Sequence, residues 1–326
     1  MMPKPCSRLR DTAPNFLAAT AFLALAATPA AADEDGASFW VPGQFASFAA
    51  VAPEPGFSLP VQSYFYMGRA DGALGRGSAS SYDFETQYFG QFISPTYTGA
   101  TKFLGATPSV SLTVNPAWNA ASANIRDGAA TEAGGDAVVG FGDIYPMAQL
   151  FWSAGPHNWM AYVTGDVPVG SYDPQRLSNL GLGHSAIDAG GGYTYLNTTT
   201  GWEFSATAGV TYNMKNFETD YTSGIDSHLE VGVSRFLNEQ FFLGAAGYAY
   251  VQITPDTGQS PELGTFESRT FGLGPQLGYN FMEGSVPIYT NLRAYAEFDV
   301  KDRPKGGAIF LTVDVPVSPL QSTDKP

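Results

Sequence analysis

The chain has 326 residues, of which 14% are charged and 14% aromatic, with 37 glycines and a formal net charge of −14. A typical soluble domain carries about a quarter charged residues, so this composition with its near-neutral mean hydropathy argues against an ordinary soluble enzyme, and the acidity argues against nucleic acid as a partner. The only cysteine is Cys6, so nothing beyond it can form a disulfide, a reactive thiol or a cysteine-ligated zinc site.

Lys4, Arg8 and Arg10 give a basic start, Phe16 to Ala27 is an uncharged apolar run, and Ala30-Ala31-Ala32 precedes the acidic Asp33-Glu34-Asp35. Those are the three parts of a secretory signal. The apolar run is well short of the roughly 20 residues of a transmembrane helix. Cleavage is expected after Ala32, making residues 1–32 a signal peptide; losing its three basic residues and one acid leaves a charge of −16. No later stretch reaches about 18 consecutive apolar residues, so any membrane crossing must be made by strands. Residues 33–56 do not alternate, and Pro42-Gly43, Pro53 and Pro55-Gly56 punctuate a segment rich in Phe and Ala. It is either a periplasmic lead-in or a plug in a lumen, with Phe45 and Phe48 as candidate plugging residues and part of Phe39–Phe57 expected to narrow the passage.

From residue 57 the pattern becomes that of a strand array. The clearest strand is Trp202 to Asn213: Trp202, Phe204, Ala206, Ala208, Val210 and Tyr212 share one face, and Glu203, Ser205, Thr207, Gly209, Thr211 and Asn213 the other. A period of two defines a strand, and a dozen residues suit a tilted membrane strand of about 9–11 better than a soluble one of about 5–6. Residues 288–300 and 307–315 repeat the pattern, and weaker strands are expected over 57–68, 82–95, 103–115, 138–153, 158–167, 185–197, 227–236, 240–252 and 267–281. These twelve predict an all-β fold: one closed antiparallel transmembrane barrel over 57–317, with a polar tail at 318–326.

The links support it. Ser153–His157, Asn197–Gly201, Leu237–Gln240 and Met282–Pro287 are short, whereas Arg69–Ser81, Trp118–Gly135, Asp166–Ser185, Asn213–Asp226 and Gln252–Glu267 are long and polar. Short periplasmic turns and longer outer loops are the rule for such barrels. Trp152, Trp159, Trp202, Phe236, Phe241, Phe242, Tyr279, Phe281 and Tyr289 cluster at the short turns, as an interfacial aromatic girdle would.

A charge in an alternating membrane strand must face the lumen. That parity nominates Glu203, then Tyr248, Tyr250 and Gln252, then Tyr289, Arg293, Tyr295, Glu297 and Asp299, and finally Phe310 and Asp314 as lining residues for solute passage. Arg293 and Glu297 can pair or screen each other. The rings offer stacking faces and the polar groups hydrogen bonds, so small hydrophobic or aromatic solutes, together with outer-membrane lipid, are the expected partners.

Catalytic signals are poor. Only His157, His184 and His228 exist, without metalloprotease spacing, so no metal or cofactor site is expected. Ser227, His228 and Glu230 invite a lipid or ester hydrolase reading, but strand neighbours point to opposite faces. Asp256-Thr257-Gly258 has no second copy to form a carboxylate pair. Asp220, Asp226 and Glu230 read as solvated acids rather than calcium ligands. A surface adhesin or structural barrel is the remaining alternative.

Gly140 to Pro146 (GFGDIYP), Val167 to Asp173 (VPVGSYD), Thr219 to Gly224 (TDYTSG), Gly247 to Gln252 (GYAYVQ), Asp256 to Gly258 and Gly274-Pro275 stand in order along the chain. Together they resemble the SphA-like outer-membrane proteins, the family labelled for the meta-pathway of phenol degradation, over about residues 40–315. The resemblance implies an outer-membrane channel linked to use of aromatic or hydrophobic compounds, with no catalytic residues to carry over. The barrel-assembly machinery is an expected partner; many outer-membrane barrels end on an aromatic residue that it reads, whereas here the last strand is expected to end near Val315, followed by the polar tail.

Overall fold

The computed structural model describes residues 38–73, 80–128, 130–258, 267–284 and 286–319. The expected signal peptide and all but the first two residues of the expected tail lie outside them. The described residues hold no helix and form thirteen strands: β1 (Gly56–Ala73), β2 (Ser81–Ile93), β3 (Thr96–Thr98), β4 (Thr107–Asp127), β5 (Ala130–Ala154), β6 (His157–Asp166), β7 (Ala186–Asn197), β8 (Trp202–Asn213), β9 (Asp226–Phe236), β10 (Phe241–Gln252), β11 (Arg269–Glu283), β12 (Val286–Lys301) and β13 (Lys305–Pro319). Neighbours pair antiparallel, and β13 returns to β1 from Gly56 opposite Pro319 to Arg69 opposite Lys305.

β2 and β3 are one stave in two pieces. On β4, Ile93 lies opposite Val114 and Thr96 opposite Ser111, and on β1 the same two residues face Val61 and Ser58, so the register is unbroken. The interruption falls at Ser94-Pro95, where proline has no N–H to give the ladder. The cylinder therefore has twelve staves, the even number that bacterial barrels show.

The burial pattern is inverted relative to a water-soluble protein. On β8, Glu203, Ser205, Thr207, Thr211 and Asn213 are buried while Trp202, Phe204, Val210 and Tyr212 are exposed; on β9, His228 and Glu230 are buried while Leu229 and Val233 are exposed. Apolar groups outside and polar groups inside are what lipid outside and an enclosed lumen require.

Two expectations need correction. Trp118–Gly135 is not a long loop: Trp118 to Asp127 and Ala130 to Val139 continue β4 and β5 as a paired ribbon, closed by a tight turn with Gly128 at φ 59°. β5, at 25 residues, is more than twice the roughly 9–11 that cross a bilayer, so this ribbon stands clear of the membrane. The alternation vanished because no lipid presses on either side of it. The girdle is also only partly exterior. Trp159, Trp202 and Tyr279 face outward, but Phe242 is buried and, with Tyr289, meets a segment inside the barrel.

Candidate functional site

Residues ahead of β1 run through the interior. Val41, Pro42, Gly43 and Gln44 form a turn in which the Gln44 N–H donates to the Val41 carbonyl at 3.2 Å and Gly43 has φ 88°. Proline followed by a glycine with positive φ suits the second and third positions of a type II turn. A Cβ on Gly43 would also stand 2.8 Å from the Tyr295 ring, so both backbone and packing demand glycine there.

Three ionisable wall residues hold this plug. Glu230 on β9 accepts from Trp40 Nε1 (3.1 Å), Gly43 N (2.7 Å) and Phe45 N (3.3 Å). Glu203 on β8 accepts from Ser47 Oγ (2.6 Å) and Phe48 N (3.0 Å). Arg293 on β12 donates to the carbonyls of Gly43 (3.0 Å) and Gln44 (2.6 Å). Hydrogen bonds to charged partners are the stronger kind, and here they replace the water these buried charges would need. Trp40 stacks on His228, with ring centroids 3.6 Å apart. Phe45 packs against Trp40 and Tyr162, and Phe48 meets Phe242 edge-on at 5.2 Å and Tyr289 at 6.1 Å.

The predicted lining residues fall into place unequally. Glu203, Tyr248, Tyr250, Gln252, Arg293, Tyr295, Glu297 and Phe310 are buried inside the barrel, and Asp314 and Tyr289 are half-buried. Asp299 is a correction: its side chain is 56% exposed and pairs with Arg269 at 2.8 Å. The β11–β12 register shifts between Arg269 and Phe271, and Asp299 has φ 48°, so a bulge breaks the parity that was counted through it. Arg293 and Glu297 are not partners. Glu297 accepts from Tyr66 Oη and Tyr248 Oη at 3.0 Å each and from Gly306 N at 2.7 Å, and Arg293 turns to the plug and lies over the Phe310 ring at 4.7 Å.

These residues therefore brace an occupied half of the lumen. Across from it, against β1–β6, lies a cavity of about 230 Å³. Phe39, Trp40, Val41, Gln44 and Phe45 of the plug form one wall; Phe92, Tyr145 and Met147 supply apolar surface opposite, and Gln62, Ser94, Thr113, Gln149 and Thr164 supply hydrogen-bonding groups. A cavity of about 150 Å³ accommodates benzene, so this one is large enough for a substituted single ring.

At the outer end, described parts of the links after β6, β8 and β10 are tied to the wall and to one another. Asp143 accepts from Gly170 N and Leu182 N, both at 2.7 Å. Tyr172 Oη accepts from Asn216 Nδ2 at 2.7 Å, and Asp256 accepts from Tyr221 Oη and Gly224 N. Arg176 reaches back to Asp136 at 2.8 Å, and that hydrogen bond pushes its guanidinium pKa further up. Asp220, Asp226 and Glu230 do not converge: Asp220 pairs with Lys215, Asp226 with Asn213, and Glu230 holds the plug.

His228 also proves to be something other than half of a Ser-His pair. Ser227 donates to the Val251 carbonyl at 2.9 Å, while His228 Nε2 meets Tyr162 Oη at 3.1 Å and Asp188 at 3.3 Å. Parity could place Trp40's partners on the inner face, but nothing in the local pattern announces a contact 190 residues away.

The fold and the sequence have known counterparts. The structure is similar to that of an outer-membrane channel from Pseudomonas putida F1, with a TM-score of 0.58 at 13% identity, covering 85% of this chain and 99% of that one. A FadL homologue from Pseudomonas aeruginosa gives a TM-score of 0.45 at 9% identity over 89% and 99% of the two chains. The first likeness shows a barrel of the outer-membrane type. No curated protein matches the sequence. Residues 69–313 match the family model described as "Putative MetA-pathway of phenol degradation"; the resemblance read from the loop motifs is borne out, and the chain belongs to that family.

Proposed function

We propose that this chain is an outer-membrane channel, exported on a cleaved signal peptide and inserted by the barrel-assembly machinery, for the passive entry of small hydrophobic or aromatic compounds destined for catabolism. The observation that carries the reading is the side cavity: a ring-lined space of about 230 Å³ between the plug and β1–β6. Such surface lowers the barrier that a polar outer leaflet raises against an apolar solute, and the neighbouring amides and hydroxyls fix its orientation. Membership of the phenol-degradation family and the likeness to an outer-membrane channel support it.

The test is flux of toluene or phenol into liposomes holding the refolded protein. Phe92→Trp and Met147→Trp place added ring volume in the cavity, and crowding a space of this size is expected to lower flux about fivefold or more while leaving the heat-modifiable mobility of the folded barrel unchanged. Equal flux in these variants and the parent would sink the cavity as the route. Ester turnover by the same preparation, lost in His228→Ala, would instead mark a hydrolase, and neither flux nor turnover would mark a structural or adhesive barrel.

A further inference from the structure

The wall above the cavity contains a carboxylate that the fold leaves unanswered. On β6 the inward residues are Asn158, Met160, Tyr162, Thr164 and Asp166, all buried. Asp166 is only 5% exposed, and neither of its carboxylate oxygens has a hydrogen-bond partner among the described residues. Buried carboxylates are ordinarily met by donors, because leaving one unmet is costly; two neighbouring inward acids follow that rule. Asp143 is capped by two backbone N–H groups, and Asp188 by Thr211 and His228.

Asp166 does not itself line the cavity but adjoins its wall at the outer end. It follows Thr164 by two residues on the same face. The register that sets Met147 opposite Thr164 and Ile144 opposite Val167 brings it beside Tyr145. Thr164, Met147 and Tyr145 all line the cavity. Among the described residues, Arg176 is committed to Asp136 and Arg293 to the plug. Asp143, on the inward face of β5 two residues from Tyr145, is a second acid nearby.

We propose that Asp166 selects for aromatic solutes that carry an amine, receiving its N–H or ammonium group while the ring lies among Phe39, Phe45, Phe92 and Tyr145. The inference rests on the cavity being the solute site and names the class it prefers. An ammonium satisfies both oxygens and gains from the surrounding ring faces. A plain hydrocarbon leaves the carboxylate unmet, and an aromatic acid brings like charges together.

The experiment is equilibrium binding of benzylamine, toluene and benzoate to the detergent-solubilised full barrel at neutral pH, followed by tryptophan fluorescence, since Trp40 borders the cavity. The expected order is benzylamine tighter than toluene by about tenfold and benzoate weakest, because a site built for a donor discriminates against analogues that lack it. Asp166→Asn is expected to abolish the preference and leave toluene affinity within about twofold; Asp166→Ser serves if the asparagine variant does not fold. Equal binding of benzylamine and toluene by the parent, or a preference unchanged by the substitution, overturns the inference while the cavity reading stands. Binding of toluene and benzylamine that survives unchanged in Phe92→Trp places the site elsewhere and overturns both.

Discussion

Deleting residues 38–52 while keeping β1 is expected to turn the barrel into an open, cation-selective pore. The plug contributes Trp40, Phe45, Ser47 and Phe48 to the interior, and a cylinder of twelve staves is wider than the eight-stave kind whose side chains alone can fill it. Single-channel conductance in planar bilayers should rise by roughly an order of magnitude or more on that ground. The sign of selectivity follows from what is uncovered. Glu203 and Glu230 lose their plug donors and remain on the inner wall with Asp188 and Glu297, against Arg293. A ring of carboxylates favours cations, which the reversal potential in a salt gradient reads directly. Unchanged conductance, or anion selectivity, would refute the plugged lumen.

A single carboxylate should reproduce much of that effect. Glu230→Ala leaves Trp40 Nε1, Gly43 N and Phe45 N without their acceptor. At about 1–3 kcal/mol per buried unmet donor, the docked plug loses at least roughly 3 kcal/mol, equivalent to about two decades in the docked-to-undocked ratio. A cysteine introduced at Ser47, buried against Glu203 and Ser234, reports the change, since the segment beyond Cys6 has no native thiol. Its maleimide labelling should be slow in the parent and accelerate by a similar factor with Glu230→Ala. Glu230→Gln, which keeps one acceptor oxygen, should fall between. Equal labelling in all three would show that the carboxylate does not hold the plug.

The fold was legible wherever lipid and lumen impose opposite demands on neighbouring residues. Trp202 to Asn213 carries its barrel face in plain alternation because each side chain meets one solvent or the other. The Ala120–Asp127 ribbon does not, since one of its sides, with Ala121 and Ala123, is covered by protein rather than facing lipid or lumen. Asp299 was misplaced because one bulge inverts every assignment counted across it, and a bulge has no fixed composition. The candidate site was harder. Parity tells which side of the wall Glu203, Glu230 and Arg293 face, but not what they meet. The plug that meets them lies more than 150 residues earlier in the chain and has no period to betray its path. The segment's prolines and its Phe45 and Phe48 marked it as unusual; Trp40 became significant only once His228 and Glu230 were seen beneath it. The cavity, likewise, depends on which half of the lumen the plug occupies, a choice set by those distant anchors.

Gly56 is the pivot at which the axial segment becomes the first stave, and it sits at φ 132°, where side chains are seldom tolerated. The stave it begins is also the one that seals the cylinder against β13. This early segment is thus gripped by β8, β9 and β12, which lie later in the chain, and is tethered directly to the closing seam. Had the cylinder shut first, the segment would have to thread back through a finished mouth against its own anchors. Wrapping the later staves around the segment before the seam zips avoids that step. The plug then serves as a mandrel: it fixes the girth on which the sheet is rolled, and a barrel deprived of it should close more slowly even where the final cylinder is the same.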